Sequence, residues 1–76
     1  MEEVKLGRYQ HFKGNFYEVI GVARHSENPN EEFVVYRALY ESKEFGKDSL
    51  WIRPKKMFLE NVVKDGKEVP RFKFIE

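Results

Sequence analysis

"EFVVYRALY", residues 32–40, is the stretch that decides the fold class, because its side chains alternate as those of a strand do. One face is apolar throughout and consists of Val34, Tyr36, Ala38 and Tyr40. The other face is apolar except at Arg37. The stretch therefore predicts a β-strand, and Arg37 is the polar interruption that needs an explanation.

Working outward, β-branched and aromatic residues predict further strand segments at 8–12, 16–26, 50–53 and 70–75. Gly14 suits a turn after the first of them. The segment 16–26 is long enough that Gly21 in its middle predicts a bend or bulge.

The connections have their own patterns. "ENPNE" (27–31) collects Asn and Pro and predicts a loop, and the charged stretch 41–49 predicts a longer solvent loop. "KKMFLEN" (55–61) could form two helical turns at most. Within 62–69, Asp65–Gly66 between short flanks predicts a tight hairpin.

Five or six short strands with one helical turn predict an all-β protein built on a small, strongly bent antiparallel sheet, of which an SH3-like barrel is the favoured form. An OB-like barrel is the alternative, weakened by the lack of a real helix between strands. Residues 1–76 are expected to form a single domain, with residues 1–6 as a flexible N-terminus.

The composition limits the classes of protein that are possible. A chain of 76 residues buries about 60% of its unfolded surface, so most of its seven Phe, four Tyr and one Trp must lie in the core. The absence of cysteine excludes disulfides and Cys-ligated metals. Two acids near the N-terminus and no apolar run of about 20 residues indicate a cytoplasmic protein with no membrane partner.

The charges nearly cancel, with a net charge of +1. Their distribution is uneven, since residues 53–73 carry seven Lys or Arg against three acids. This local excess of positive charge would support weak contact with an anion, although such charged side chains are more often simply solvated at the surface.

Four long strings, "GRYQHFKGNFYEVIGVARHSE", "VVYRALY", "LWIRPKKMF" and "VPRF", resemble the small bacterial proteins of the family known as domain of unknown function 1653. The resemblance runs from Gly7 to Ile75. It implies a stand-alone bacterial cytoplasmic domain without an assigned activity, and it carries over no catalytic or binding residues.

No pattern in the chain indicates catalysis. His25 and Ser26 are adjacent on a predicted strand and would point to opposite faces. His11 and His25, with Glu18 or Glu27, match no metal-ligand spacing. We therefore expect no catalytic residue, no metal and no cofactor, and a small enzyme acting through a histidine is the least favoured hypothesis.

The candidate site depends on the pleat of residues 50–53. Two branched aliphatic residues, Leu50 and Ile52, make the better core face, which would leave Trp51 and Arg53 on the other. The predicted ligand-binding residues are Trp51, Arg53, Arg37, Tyr9, His11 and His25. Core packing of Trp51 is the favoured alternative, because large rings in a small domain are mostly interior. Arg37 and Arg53 could equally pair with Glu18 or Glu32.

The leading functional hypothesis is a non-enzymatic binding module whose aromatic and arginine surface receives a nucleic acid, a nucleotide or another anionic ligand, with a peptide as a further possible partner. The alternative is protein–protein interaction or homodimerisation by strand addition, suggested by residues 32–40 and by the tail "RFKFI". The oligomeric state is left open.

Overall fold

The computed structural model describes residues 3–76, which form nine β-strands and one short helix. In chain order the elements are β1 (Gly7–His11), β2 (Phe16–His25), β3 (Asn28–Ala38), β4 (Glu41–Ser42), β5 (Gly46–Lys47), β6 (Leu50–Pro54), α1 (Lys55–Phe58), β7 (Asn61–Lys64), β8 (Lys67–Pro70) and β9 (Phe72–Phe74). The main sheet has the strand order β6-β3-β2-β1-β9, and β4–β5 and β7–β8 form two small separate ladders.

The all-β class, with small antiparallel sheets and one short helical turn, is confirmed. The main sheet does not close into a barrel, because β6 and β9 remain as its two edges. The prediction of small antiparallel sheets therefore describes the fold, and neither the SH3-like nor the OB-like barrel is confirmed.

The long hairpin of β2 and β3 forms the middle of the sheet. The pairing of the two strands shifts between Val19 and Gly21, so the predicted irregularity at Gly21 is confirmed as a bulge. The predicted loop 27–31 is wrong, because β3 already begins at Asn28. Pro29 is tolerated there since the ladder is interrupted by a second register shift beside His25.

The shorter connections follow the sequence closely. Asp65 and Gly66 have φ angles of 52° and 77° and join β7 to β8, which confirms the predicted hairpin. The helix is a single turn that follows Pro54 and is shorter than the predicted 55–61. The predicted loop 41–49 contains the small β4–β5 ladder.

The core lies on one face of the main sheet, where α1 covers it. Phe58 from the helix is 2% exposed, and its ring stacks on Phe72 with centroids 4.2 Å apart and planes at 10°. Tyr9 and Tyr36 meet the Phe58 ring at 5.3 and 5.8 Å. The full core cluster comprises Tyr9, Val19, Val34, Tyr36, Phe58 and Phe72.

The segment before β1 touches this core. Val4 packs against it, and the Lys5 carbonyl accepts a hydrogen bond from the Tyr9 hydroxyl at 2.8 Å. The predicted flexibility of residues 1–6 stays a prediction, and residues 1 and 2 lie outside the described residues. Between residues 3 and 76, no helix has the length and apolar character needed to cross a membrane.

The placement of the core can be tested by two substitutions. Phe58→Ala should lower the free energy of unfolding by about 3–5 kcal/mol, because it opens a cavity under Phe72. Ile52→Thr should change it by only about 0.5 kcal/mol, because Ile52 is 62% exposed and Thr keeps the branched shape. Urea unfolding followed by circular dichroism measures both. A larger loss for Ile52→Thr than for Phe58→Ala would contradict this core.

Candidate ligand-binding surface

The orientation of β6 is the reverse of the prediction. Leu50 and Ile52 are each 62% exposed, whereas Trp51 is half-buried and packs against the core. The register explains the reversal, since Trp51 lies opposite Tyr36 and therefore shares the core face of β3. An indole ring buries more apolar surface than either aliphatic side chain, so this arrangement gains more from burial.

Trp51 is held at the margin of the core. Its Nε1–H donates to the Ser49 hydroxyl at 2.9 Å, and the Phe45 ring meets it edge-on with centroids 4.9 Å apart. The ring thus packs as the core-packing alternative predicted, while the residue keeps part of its surface accessible.

Arg53 lies on the same face as Trp51 and has unusual surroundings. Four of the five arginines form salt bridges, namely Arg8 with Glu76, Arg24 with Glu32, Arg37 with Glu18 and Arg71 with Glu60. Within residues 3–76, Arg53 is the one arginine without a carboxylate partner. Its neighbours are aromatic instead: Nε donates to the Tyr36 hydroxyl at 3.3 Å, and the guanidinium carbon lies 5.6 Å from the centre of the Phe72 ring.

The terminal nitrogens of Arg53 are therefore available to a ligand. A guanidinium carries five N–H donors in a planar fork, and only Nε has a hydrogen-bond partner within the part of the chain that the structure describes. The Arg53 side chain is half-buried, and its terminal nitrogens have no hydrogen-bond partner among residues 3–76. The contact with Phe72 is a cation–π interaction, which holds the side chain without neutralising its charge.

His11 joins Arg53 around the same phenylalanine. Its ring lies 4.8 Å from that of Phe72, and its Nδ1 accepts a hydrogen bond from the Lys13 backbone N–H at 3.2 Å. Burial lowers the pKa of His11, and the charges of Arg53, Lys13 and Arg71 lower the pKa further. The imidazole is thus neutral near pH 7, with its proton on Nε2, and it lies in a region of positive potential.

Two tyrosines complete the surface. The Tyr17 and Tyr40 hydroxyls share a hydrogen bond at 2.8 Å, although they are 23 residues apart in the chain. Burial raises the pKa of Tyr17, and the hydrogen bond with Tyr40 raises it further, so the hydroxyl stays protonated. We call the set of His11, Tyr17, Tyr40, Trp51 and Arg53 the aromatic–Arg53 surface. It lies on the rings of Tyr36 and Phe72, which are themselves buried in the core. None of its members is acidic.

The structure does not bring Arg37 to this surface. Arg37 lies on the opposite face of the sheet, where it pairs with Glu18 on β2, as the ion-pair alternative predicted. Its Nε is buried without a hydrogen-bond partner among the described residues. Arg37 therefore stabilises the outer face of the sheet and does not extend the site.

Two other predicted site residues are also placed elsewhere. Tyr9 is 6% exposed and belongs to the core, and burial raises the pKa of its hydroxyl. His25 lies at the exposed end of the β2–β3 hairpin, where its Nδ1 accepts a hydrogen bond from the Glu27 N–H at 3.1 Å. Of the six predicted residues, the surface contains Trp51, Arg53 and His11. No group of three or more His, Asp or Glu side chains among residues 3–76 could hold a metal ion.

Comparison with known proteins gives the chain a family. Residues 7–74 match the model of the family described as "Protein of unknown function (DUF1653)". The chain belongs to the DUF1653 family. A crystal structure of a DUF1653 protein from Bordetella bronchiseptica is similar, with 32% sequence identity and a TM-score of 0.83, over 96% of this chain and 88% of that one. No curated protein matches this DUF1653 chain.

The environment of His11 predicts a pH dependence of stability. Because the pKa of His11 is lower in the folded protein than its ordinary 6.5, the unfolded chain binds more protons just below pH 6.5. The contribution of the neutral ring to stability is complete above pH 6.5 and is lost as the pH falls through the folded pKa.

Urea unfolding at several pH values between neutral and mildly acidic checks this expectation. His11→Asn, which keeps a hydrogen-bond acceptor for the Lys13 N–H but cannot be charged, should lose less stability on acidification than the unmodified protein does. His25→Asn retains His11 and should behave as the unmodified protein. Equal losses in all three proteins would show that His11 is not held neutral.

Proposed function

We propose that this protein is a non-enzymatic binding module and that the aromatic–Arg53 surface binds the phosphate and base of a nucleotide unit. The observation that supports it is the half-buried Arg53 guanidinium, which lies among aromatic rings without a carboxylate partner in residues 3–76. The other arginines satisfy their charge within the protein. The charge of Arg53 is left for a ligand.

The electrostatics favour an anion as the ligand. Arg53, Lys13 and Arg71 all act on His11 with positive charge, although Arg71 is itself paired with Glu60. A phosphate or carboxylate would be attracted by these positive charges and would accept two parallel hydrogen bonds from the guanidinium fork. The partly buried position strengthens the attraction, because less water screens it.

The aromatic residues favour a ligand that also carries a flat ring. Trp51 keeps accessible surface beside Arg53, and Phe45 extends the aromatic area, being 58% exposed. Stacking of a base on such a ring contributes about 1–3 kcal/mol. A nucleotide combines the ring and the anion that this surface would accept.

The polar groups of the surface suit binding better than acid–base chemistry. A general base needs a pKa near the working pH, whereas the pKa of Tyr17 is raised and its hydroxyl is already engaged with Tyr40. The neutral His11 ring uses Nδ1 for the Lys13 N–H. These groups can donate to a ligand and hold it in place.

Trp51 is the only tryptophan, so its fluorescence reports directly on the surface. Thymidine monophosphate and an oligothymidylate should change the Trp51 emission, more strongly at low than at high salt. Arg53→Gln should weaken binding about 10- to 100-fold, since a hydrogen bond to a charged group contributes about 1.5–3 kcal/mol. The affinity of Arg53→Lys should lie between those of the unmodified protein and Arg53→Gln, because lysine keeps the positive charge but lacks the planar fork of donors.

Arg24→Gln is the matched control, because Arg24 is exposed on the β2–β3 hairpin and pairs with Glu32. It should bind as the unmodified protein does. If Arg24→Gln weakens binding as much as Arg53→Gln, or if neither ligand changes the Trp51 emission, the proposed function is wrong.

We infer a second candidate function, self-association, from the open edge at β6. Trp51 and Arg53 lie opposite Tyr36 and Val34, and the Ala38 N–H donates to the Ser49 carbonyl at 2.9 Å. By the alternation of an antiparallel ladder, the backbone N–H and C=O groups of Leu50 and Ile52 point away from β3. This edge carries exposed apolar side chains and lacks the lysines that usually protect edge strands.

Pro54 limits the register that a second copy can adopt. Because Pro54 has no N–H, the best antiparallel pairing places Leu50 of one copy opposite Ile52 of the other, around a two-fold axis at Trp51. All four outward N–H groups then find acceptors. The occupant proposed for this edge is therefore another copy of the chain.

Light scattering over a wide concentration series tests the self-association. The mean mass should rise with concentration for the unmodified protein, and Ile52→Lys should abolish the rise by placing an ammonium group opposite the apolar Leu50 side chain of the other copy, at both ends of the pairing. Val63→Lys makes the same change at a 73% exposed position on β7 and should leave the rise intact. A constant monomer mass for the unmodified protein would contradict the inference.

A further inference from the structure

A groove of ≈ 400 Å³ lies between the β1–β2 turn and the β7–β8 hairpin, next to the aromatic–Arg53 surface. The residues that matter in its lining are His11, Phe12, Lys64, Val69, Pro70 and Lys73. The hairpin contributes Lys64 from one strand and Val69 and Pro70 from the other. Lys64 joins the two elements by donating a hydrogen bond from Nζ to the Phe12 carbonyl at 2.9 Å.

The charge of the groove is positive. Its lining includes Lys64 and Lys73 and no acidic side chain. Lys64 uses one of its three N–H donors on Phe12, and Lys73 forms no salt bridge with the carboxylates of residues 3–76. Lys13 adds a further ammonium 5.8 Å above the Phe12 ring. An anion would therefore meet several donors and no repulsion.

The groove also offers apolar surface. The Phe12 ring packs against the His11 ring with centroids 4.6 Å apart. Val69 and Pro70 on β8 also line the groove. A nucleobase could lie on the Phe12 ring while its phosphate contacts a lysine, which is how grooves for single strands commonly combine stacking and charge.

His11 makes the groove continuous with the aromatic–Arg53 surface. It lines the groove, and its ring also contacts Phe72, on which the Arg53 guanidinium lies. A ligand held at Arg53 could therefore continue past His11 into the groove and meet Lys64 there.

We propose that the groove binds further phosphates of the same ligand, so that the ligand is a single strand of nucleic acid several nucleotides long. This inference rests on the proposed function of Arg53, which would hold one nucleotide of the strand. Lys64 and Lys73 would hold the phosphates that follow, and Phe12 would take a base.

Titration of Trp51 fluorescence with thymidine monophosphate and with oligothymidylates of increasing length tests the proposal. Affinity should rise at least about tenfold from the monophosphate to an eight-nucleotide strand. The double variant Lys64→Gln/Lys73→Gln should lose this gain while binding the monophosphate as before. The slope of log affinity against log salt for the long strand should fall by about 0.7 for each phosphate contact removed.

Lys47→Gln/Lys56→Gln is the matched control, because it removes the same charge at two exposed positions outside the groove. It should retain the length dependence. Because Lys64 also donates a hydrogen bond to Phe12, thermal unfolding should be measured for each variant. Lys73→Gln alone leaves that hydrogen bond intact and should lower the salt slope by about half as much as the double variant does.

The outcomes separate the two proposals. If the monophosphate binds through Arg53 but longer strands bind no more tightly, the groove proposal is wrong and the proposed function stands. If the control lowers the affinity for long strands as much as the groove variant does, the length effect is general charge attraction and the groove proposal is also wrong. If Arg53→Gln changes nothing for any ligand, the proposed function fails, and with it this inference.

Discussion

The stacked pair of Phe58 and Phe72 is the interaction on which the rest of the structure depends. The main sheet is open at both edges and carries its core on one face only. A single helical turn has to close that core, and it does so by placing Phe58 on Phe72, the one buried residue of the short edge strand β9. Tyr9 and Tyr36 then surround the pair. This contact fixes the helical turn on the sheet, and it buries the side chain of a strand that is otherwise held by its backbone pairing with β1 and by the contact of Phe74 with Tyr9.

This aromatic core explains why the candidate site lies where it does. Phe72 contacts His11 and Arg53 as well as Phe58. The margin of the core is therefore formed by polar side chains that pack on an aromatic ring. The Arg53 guanidinium packs on a ring and keeps its terminal donors free of carboxylates in residues 3–76, whereas Arg8 and Arg37 on the outer face form salt bridges with glutamates. The same packing that stabilises the fold thus leaves one arginine without a carboxylate partner within residues 3–76. The fold and the proposed binding surface thus share Phe72.

The sequence predicted most of the elements, because they depend on local chemistry. The alternation of apolar side chains predicted the strand at 32–40. The backbone preferences of Asp65–Gly66 predicted the hairpin, and those of Gly21 predicted the bulge. The orientation of β6 could not be found in this way. In "LWIR" each face has two residues, and only the opposition of Trp51 and Tyr36 decides which face is buried. The ion pair of Arg37 with Glu18 and the hydrogen bond of Tyr17 with Tyr40 likewise depend on register between distant segments.

The open edge of β6 and the aromatic–Arg53 surface would also influence each other. Leu50 and Ile52 present their backbone groups at the edge, while the Trp51 side chain points to the core face. A two-fold pairing centred on Trp51 would therefore bring the indoles of two copies side by side and join their ligand surfaces across the new strand pair. A ligand long enough to contact both surfaces would bind the paired form more tightly than the single chain, so it would shift the equilibrium towards pairing. A single nucleotide would lack this effect, because it can occupy only one surface at a time. Ligand length would then control association, with no conformational change required in either copy.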